Sequence, residues 1–226
     1  MKHLLAILCL AAAGMSLARA AEPCPPTHLR AEWSPQCFEG KGDARRVKPA
    51  FVGQLEGGRD GMAFILIGEP RELVAVDRRG KVVVPGIRHT GDFDYPTPPL
   101  GIGRYDAPAD PAAGRPRRQC GYFQVHPLRI TVPARFDQCQ AVKTEETLAC
   151  TDCMAYCTET DCQAKVFVGG QGVVLGTDGA VRRSYSLPTL ETVCKAPDRV
   201  RVSKLAGRSA LLRCWRNAND PFNHLQ

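Results

Sequence analysis

The sequence predicts an all-β protein made mainly of antiparallel hairpins. From Ala50 onward, short apolar runs alternate with turn residues, a pattern that is typical of strands. The 226 residues include 21 glycines and 18 prolines, and no long amphipathic helix is visible. Helical structure is therefore expected to be limited to short turns around the cysteine cluster Cys150–Cys162.

Turn residues place the hairpins along the chain. Asp77-Arg78-Arg79-Gly80 forms a predicted turn, in which Gly80 can supply the positive φ that a tight connection needs. Asp178-Gly179 is a strong hairpin dipeptide. The predicted strand and hairpins are Met62–Gly68, Glu72–Ile87, the two runs beside His126-Pro127, Val166–Tyr185, and Arg199–Trp215 around Ala206-Gly207.

The first 20 residues have the pattern of a signal peptide. A basic start at Lys2 precedes an apolar run from Leu4 to Leu17, and Ala18-Arg19-Ala20 fits an A-x-A cleavage site. The apolar run is shorter than the ~20 residues that a membrane-spanning helix needs. We therefore predict cleavage after Ala20, a periplasmic or secreted location, and no membrane anchor.

Composition divides the remaining chain into two regions. Residues 21–49 are rich in proline, glycine and charge, so we predict an irregular N-terminal arm with Trp33 packed onto the body. Residues 50–226 are the predicted β-rich domain. The formal net charge of +7 falls to +5 without Lys2 and Arg19, a mild basic excess that favours anionic partners only weakly.

The cysteines are expected to form disulfides. Cleavage would remove Cys9 from the eleven cysteines and leave an even number in an oxidising compartment, where disulfides persist. Loop length suggests two pairs, Cys24 with Cys37 and Cys194 with Cys214, each stabilising by about 3 kcal/mol, and the other pairings stay open. The ten candidates are Cys24, Cys37, Cys120, Cys139, Cys150, Cys153, Cys157, Cys162, Cys194 and Cys214.

Four of these cysteines lie within thirteen residues and allow three interpretations. Four thiolates can hold a structural zinc, although one tight run differs from two separated C-x-x-C pairs. Cys150-x-x-Cys153 matches a thiol-redox motif, which needs a following helix. A short helical turn would place Cys150, Cys153 and Cys157 on one side, but helical spacing is too wide for Cys153 to bond to Cys157. We therefore favour disulfides from these cysteines to neighbouring strands or loops, and the nearest candidate partners are Cys162, Cys139 and Cys120. A metal or redox site at Cys150, Cys153, Cys157 and Cys162 is the alternative.

Parts of the chain are similar to one another. Val76–Pro96 aligns with Phe123–Gln140, since each has a β-rich run, a Val-Pro dipeptide and a Phe-Asp pair. Leu175–Arg182 matches the front half again, with Gly179 at the position of Gly80. The repeated unit of roughly forty to fifty residues has the size of one supersecondary block.

These segments resemble the WG-repeat proteins of bacteria, whose repeats read Trp-Gly-x-Ile-Asp-x-x-Gly-Lys-x-Val-Ile-Pro-Pro and then a Phe-Asp-like pair. The resemblance covers roughly residues 60–185, and Cys120-Gly121 stands where the family has Trp-Gly. It implies a β-rich domain of degenerate repeats and usually no enzymatic activity. The matching positions are Val76-Asp77, Gly80-Lys81 and Val84-Pro85 in one copy, and Cys120-Gly121-Tyr122, Val132-Pro133 and Phe136-Asp137 in another.

No local catalytic motif is present in the sequence. H-E-x-x-H and G-x-S-x-G are absent, so no enzyme, catalytic residue, cofactor-binding residue or cofactor is predicted. We expect an exported, disulfide-stabilised, non-catalytic interaction or structural module of the bacterial envelope. Its partner is expected to be a protein or an envelope polymer, and not nucleic acid, because no nucleic-acid-binding motif is present.

Arginine doublets are the most distinctive charged feature. They could form an anion-binding face, because guanidinium groups bind phosphate and carboxylate well. The favoured interpretation is solvated charge at turns and strand ends, where it also discourages edge-to-edge pairing of strands. The doublets are Arg45-Arg46, Arg78-Arg79, Arg117-Arg118 and Arg182-Arg183.

Overall fold

The computed structural model describes residues 23–56, 62–88, 100–109, 118–162, 165–194, 200–204 and 210–214. Within these ranges sixteen strands form four sheets, and the helical parts are four 3₁₀ turns and one α-helix of five residues. The all-β prediction is confirmed. The predicted signal peptide lies outside the described residues, and its cleavage stays a prediction.

Strands are numbered in chain order. A small arm sheet pairs β1 (Phe38–Glu39) with β2 (Arg46–Val47). The main sheet has six strands in the order β3-β4-β5-β6-β7-β8, so each strand lies beside the next one along the chain. These strands are β3 (Ala63–Ile67), β4 (Glu72–Val76), β5 (Val82–Ile87), β6 (Ile102–Pro108), β7 (Arg118–Gln124) and β8 (Arg129–Phe136).

Two four-stranded sheets follow the main sheet. The second sheet has the order β14-β13-β10-β9, and the third sheet has the order β12-β11-β16-β15. Their strands are β9 (Gln138–Cys139), β10 (Glu146–Thr151), β11 (Met154–Cys157), β12 (Lys165–Val168), β13 (Gln171–Gly176), β14 (Val181–Ser186), β15 (Val200–Lys204) and β16 (Ala210–Cys214). The helical parts are the 3₁₀ turns Thr27–Leu29, Pro35–Cys37, Gly42–Ala44 and Pro49–Gln54, and α1 (Leu190–Cys194).

The two glycine turns identified in the sequence have the same backbone hydrogen bonds. In the β4–β5 turn, the Asp77 amide donates to the Lys81 carbonyl at 2.9 Å and the Gly80 amide to the Asp77 carbonyl at 2.9 Å. In the β13–β14 turn, the equivalent bonds join residues 176 to 180 and 179 to 176, each at 2.9 Å. Gly80 and Gly179 have φ of +78° and +81°, which glycine adopts without steric cost. The sequence alignment of Gly179 with Gly80 therefore identifies equivalent turns.

The N-terminal arm covers one face of the main sheet. Trp33 is 2% exposed, its amide donates to the Leu66 carbonyl at 2.8 Å, and its carbonyl accepts from the Gly68 amide at 3.0 Å. The alternation of β3 places Ile65 and Ile67 beneath the arm. Burial of this apolar surface stabilises the arm on the sheet, as predicted for Trp33. The buried members of this cluster also include Cys24, Cys37, Val47, Ala63, Val74, Val76 and Val82.

β4 is buried on both of its faces. Val74 and Val76 contact the arm side, whereas Leu73 and Ala75 belong to a cluster on the opposite face. This explains why β4 reads as a continuous apolar run and not as an alternating strand. The opposite-face cluster extends across the sheet through Val84, Ile87, Tyr105, Phe123 and Leu128.

The second sheet packs against the far end of the main sheet. Tyr122 of β7 is 2% exposed, and its hydroxyl lies 3.0 Å from the Gln140 carbonyl oxygen and 3.3 Å from that of Leu148. Burial raises the pKa of Tyr122 to about 12, so the hydroxyl stays protonated and donates at neutral pH. The hydroxyl thus anchors the second sheet to the main sheet. The buried cluster between them contains Cys120, Tyr122, Val132, Phe136, Cys139, Ala149 and Leu175.

Gly121 lets β7 and β8 approach closely at a bulge in their pairing. A methyl group at this position would overlap the Val132 carbonyl oxygen and lie 2.8 Å from both the Ala134 amide nitrogen and a Tyr105 ring carbon. We expect Gly121→Ala to lower the free energy of unfolding by about 2 kcal/mol, because overpacking displaces buried backbone. Urea unfolding of the mature protein measures this.

Gly53→Ala is the matched control for this substitution. A methyl group there has no neighbouring atom within 4 Å, and Gly53 lies in a 3₁₀ turn without positive φ. Its unfolding midpoint should therefore stay within the error of the wild-type value. Equal stability of Gly121→Ala and Gly53→Ala would contradict the close approach of β7 and β8.

The third sheet completes the described fold. β15 and β16 pair as a hairpin, as predicted, and the predicted turn at Ala206-Gly207 lies outside the described residues. β16 also meets β11 in parallel at one register position, Leu211 opposite Cys157. No helix within the described ranges has the length and apolar character needed to cross a membrane.

Candidate functional site

The cysteine cluster forms two disulfides in the structure. Cys150, in β10, is bonded to Cys153, with their Cα atoms 6.0 Å apart. Cys157, at the end of β11, is bonded to Cys162, with their Cα atoms 4.8 Å apart. Metal binding requires thiolates, and all four sulfur atoms are used in these bonds. Within the described parts of the chain, no group of three or more His, Cys, Asp or Glu side chains is placed to hold a metal ion.

Cys150, Cys153 and Cys157 lie in or beside strands, and no helical turn forms there. β10 pairs with β13 up to Thr151, and β11 pairs with β12 from Met154, so strand pairing determines the local structure. Asp152, with φ +54°, bends the chain between β10 and β11, which pair in one continuous register with β13 and β12. The Asp137 carboxylate accepts the Asp152 amide at 2.5 Å, which holds this bend in place.

Partners for the clustered cysteines are closer in sequence than expected. We expected Cys150 and Cys153 to reach neighbouring strands or loops, but the bend at Asp152 brings these two together. Cys162 was among the expected partners and does bond to Cys157. The structure also joins Cys24 to Cys37 and Cys194 to Cys214, as loop length suggested, and joins Cys120 to Cys139.

Burial separates the Cys150–Cys153 disulfide from solvent. Cys150 is 0% exposed and Cys153 is 6% exposed, and both belong to a buried cluster with Phe167 and Leu187. A thiol-redox centre needs a sulfur that a partner can reach, and its thiolate is commonly stabilised by a helix N-terminus. Here strands flank the pair on both sides. The geometry favours a structural cross-link that closes the connection between β10 of the second sheet and β11 of the third sheet.

The arginine doublets lie at turns, strand ends and an edge strand, and most of the described members have acidic partners. Arg46 contacts Glu39 at 2.7 Å, Arg182 contacts Asp178 at 2.9 Å, and Arg183 lies 3.9 Å from Glu146. Arg118 donates to the Asp106 backbone carbonyl at 2.7 Å, and Arg117 lies outside the described residues. These positions agree with the solvated-charge interpretation and do not converge on one anion site.

Arg45 and Glu72 form the most enclosed ion pair among these doublets. Two hydrogen bonds of 2.7 and 3.0 Å join the guanidinium to the carboxylate, which also accepts the Gly86 amide at 2.9 Å. Burial alone would raise the pKa of Glu72, but the hydrogen bonds and positive charge of Arg45, with the Gly86 amide, lower it below its ordinary value of 4.5. This pair fastens the arm to the main sheet.

Glu72→Gln is expected to make stability less dependent on acid. Because the folded-state pKa of Glu72 is lowered, its contribution to stability is complete above pH 4.5 and is lost as the pH falls through the folded pKa. The substitution should therefore cost about 1–2 kcal/mol at pH 7, and this difference should shrink towards zero at lower pH. Urea unfolding at a series of pH values measures it.

Glu39→Gln provides the matched control for the pH series. The Arg46–Glu39 pair has the same 2.7 Å contact, but its side chains are 56% and 40% exposed. Removing an exposed ion pair should change the free energy of unfolding by less than about 0.5 kcal/mol at every pH. A pH-independent loss in Glu72→Gln would contradict the assigned role of its carboxylate.

An open groove of about 480 Å³ lies between the main sheet and the second sheet. We call it the β8–β14 groove. β7 and β8 form one wall, and β10, β13 and β14 form the other. The lining residues are Gln119, Arg135, Phe136, Thr151, Val173, Val181 and Ser184.

Two features hold the main-sheet wall of the β8–β14 groove. Gln119 is 9% exposed and donates from its side chain to the Arg135 carbonyl at 3.1 Å. The Arg135 guanidinium lies 5.2 Å from the centre of the Phe136 ring, and this cation–π contact orients it at the groove. The Arg135 guanidinium therefore covers the buried Phe136 ring and places a positive charge at this wall.

The chemistry of the β8–β14 groove suits binding. Thr151 and Ser184 provide hydroxyl groups, but its lining, as described, contains no imidazole, carboxylate or thiol to activate a nucleophile. Val181 is 51% exposed, so apolar surface is open to a ligand. Sequence reasoning missed this site, because its lining comes from five strands that meet only in the folded protein.

One sequence signal at the groove could have been recognised. β14 reads VRRSYS, and all six of its residues are exposed. A strand that follows a strong hairpin turn but lacks an apolar face is typical of an edge strand. The structure places β14 at the edge of the second sheet, paired with β13.

Comparison with known proteins found no match among family models, curated proteins or solved structures. The resemblance to WG-repeat proteins therefore stays an expectation from the sequence.

Proposed function

We propose that this chain is an exported, non-catalytic binding module of the bacterial envelope, made of degenerate WG-like repeats and reinforced by disulfides. The observation that carries the proposal is that all ten cysteines expected in the mature chain are joined in five pairs. Five disulfides indicate an oxidising extracellular or periplasmic environment. Binding is assigned to the β8–β14 groove.

The repeat interpretation is supported by the equivalent turns at Gly80 and Gly179. Both turns have the same pair of backbone hydrogen bonds, and both pack against another strand of the protein. Gly80 lies against Val47 of β2, and Gly179 lies against Thr131 of β8. Similar blocks that pack in the same way are expected of a degenerate repeat.

Export is tested by expressing the full chain, with its first 20 residues, in a bacterium and fractionating the cells. The mature protein is expected in the periplasm or medium, with Ala21 at its N-terminus. Its intact mass should be lower than the reduced mass by two hydrogens for each of the five disulfides. A cytoplasmic protein with reactive thiols, or one purified with stoichiometric zinc, would contradict the proposal.

The binding role is tested by photo-crosslinking in the exporting cells. A photoreactive amino acid is placed at Val181 in the groove, and in a second variant at Leu29 in the arm. Both side chains are exposed, at 51% and 59%, so they sample solvent to a similar extent. A discrete adduct at position 181 that is absent at position 29 is expected. Identical patterns at the two positions would remove the binding role from the groove.

A further inference from the structure

We propose that the outer edge of β14 binds an extended, acidic polypeptide segment by strand addition, with side chains of the segment entering the β8–β14 groove. This inference rests on the proposed binding function and names the class of partner. In strand addition, main-chain hydrogen bonds to an exposed sheet edge provide affinity, and pockets for alternate side chains provide specificity.

The edge of β14 is open over its full length. All six residues, Val181–Ser186, are exposed, and within the described residues β13 is the only strand that pairs with β14. Beyond the strand, Leu187 is buried and its amide donates to the Gly170 carbonyl at 3.0 Å, which fixes the end of the edge. An unpaired edge of this length offers backbone donors and acceptors to an added strand, with one irregularity near Arg182 where the pairing with β13 shifts register.

The groove lies on one face of the same edge. Val173 of β13 and Ser184 of β14 are directly opposite each other in the sheet, and both line the groove. A strand added beside β14 continues this face, so every second side chain of the added strand points towards the groove. Val173 and Val181 favour apolar groups in those positions.

Positive charge flanks the edge on both sides. Arg135 lines the groove, and Arg182 and Arg183 belong to β14 itself. The acidic partners of the two β14 arginines are Asp178, at 2.9 Å, which also accepts the Ala180 amide, and Glu146, at 3.9 Å. Within the described residues Arg135 forms no ion pair, and the formal net charge of the chain without its first 20 residues is +5.

This charge distribution selects among the possible occupants. A second copy of the chain would bring the same three arginines against each other, and like charges across paired strands are unfavourable. An anionic polysaccharide could satisfy the charge but has no regularly spaced amide groups to pair with the β14 backbone. An acidic extended peptide satisfies both the backbone and the charge.

The test uses the mature full chain and a fluorescein-labelled peptide of nine residues that alternates valine with glutamate. A second peptide has lysine in place of glutamate. Fluorescence anisotropy measures both affinities at low salt and at physiological salt. The glutamate peptide is expected to bind at least about tenfold more tightly than the lysine peptide, because charge complementarity determines specificity.

Arginine variants locate the binding site. The double variant Arg135→Glu with Arg183→Glu is expected to weaken binding of the glutamate peptide by at least about tenfold. Arg129→Glu is the matched control, since Arg129 is an exposed residue of β8 that contacts Gln124 and does not line the groove. It should leave the affinity within about twofold of wild type. Near-ultraviolet circular dichroism checks that both variants are folded.

Backbone methylation tests strand addition itself. Two glutamate peptides are methylated on alternate amide nitrogens, one at odd and one at even positions. Alternate amides of an added strand face the sheet and the solvent, so one peptide should lose binding and the other should keep it. Amides of residues 181–186 should also become protected from hydrogen exchange when the unmethylated peptide binds.

Several outcomes would overturn the inference. They are equal binding of the glutamate and lysine peptides, insensitivity to both methylation patterns, and concentration-dependent dimerisation that protects β14 without peptide. The second outcome indicates charge-only binding, as for a polysaccharide, and the third indicates a second copy as occupant. If the peptides fail while position 181 still crosslinks to a partner in cells, the binding function stands and only the partner class is wrong.

Discussion

Replacing Trp33 with alanine is expected to lower the free energy of unfolding by about 4 kcal/mol. The indole is 2% exposed and lies at the centre of the apolar cluster between the arm and the main sheet. Its ring contacts that of Phe38, with centroids 6.1 Å apart and planes at 53°. Truncation leaves a cavity beneath an arm that has no long helix or strand of its own. The decrease in the free energy of unfolding should therefore lie near the upper end of the range for aromatic-to-alanine substitutions.

Urea unfolding at neutral pH measures the effect of Trp33→Ala, and Leu29→Ala is its matched control. Leu29 belongs to the same arm but is 59% exposed, so its truncation should cost less than about 0.5 kcal/mol. Trp33→Phe should fall between the two, because it keeps an aromatic group but loses part of the buried area. A Trp33→Ala protein as stable as Leu29→Ala would show that the arm does not pack on the sheet.

Removing the Cys120–Cys139 disulfide is expected to cost about 3 kcal/mol. This bond links β7 of the main sheet to β9 of the second sheet, over a sequence separation of 19 residues. Cys120 is 0% exposed and Cys139 is 3% exposed, so the alanine double variant also leaves a small apolar void. Both effects weaken the contact between the two sheets that form the β8–β14 groove.

The Cys157–Cys162 disulfide provides the internal comparison. Its sequence separation is only 5 residues, so the chain-entropy model assigns it about 2 kcal/mol. Differential scanning calorimetry of the two alanine double variants should therefore give the lower melting temperature for the Cys120 and Cys139 variant. The reverse order would contradict the view that the disulfide between the sheets is the more important cross-link.

Turn chemistry made one hairpin of the main sheet and one of the second sheet predictable. Gly80 and Gly179 can adopt positive φ at the places where apolar runs reverse, and the structure has hairpins there. β3 and β4 were recognisable because their apolar residues are consecutive, although only β4 is buried on both faces and β3 alternates buried with half-buried residues. These signals depend only on residues that are neighbours in the chain, so they can be recognised from the sequence.

The remaining parts depend on contacts between distant residues. β6 contains Arg104 and Asp106 among its apolar residues, and its identity as a strand depends on pairing with β7 over seven residues. β10 and β11 contain the cysteine spacing that favoured a helical turn, and pairing with β13 and β12 overrides this local preference. The sequence therefore predicted that these cysteines form disulfides, but it did not predict the strands in which they lie.

The β8–β14 groove could not be predicted from the sequence, because it also depends on contacts between distant residues. Phe136 and Val173 come from different sheets, and only the packing of the second sheet on β7 and β8 brings them together. No spacing rule connects residues that are separated in this way. The exposed β14 was the nearest local indication, since a strand without an apolar face is typical of a sheet edge.

Disulfide mapping of the mature protein tests most directly whether its sulfur atoms serve as cross-links. Under non-reducing conditions, cleavage before Asp152 and Asp161 and after Tyr156 separates all four clustered cysteines from one another. Mass spectrometry should then find Cys150 bonded to Cys153, Cys157 bonded to Cys162, and the three pairs outside the cluster. Free thiols at the cluster, or a stoichiometric metal ion released by their alkylation, would contradict it.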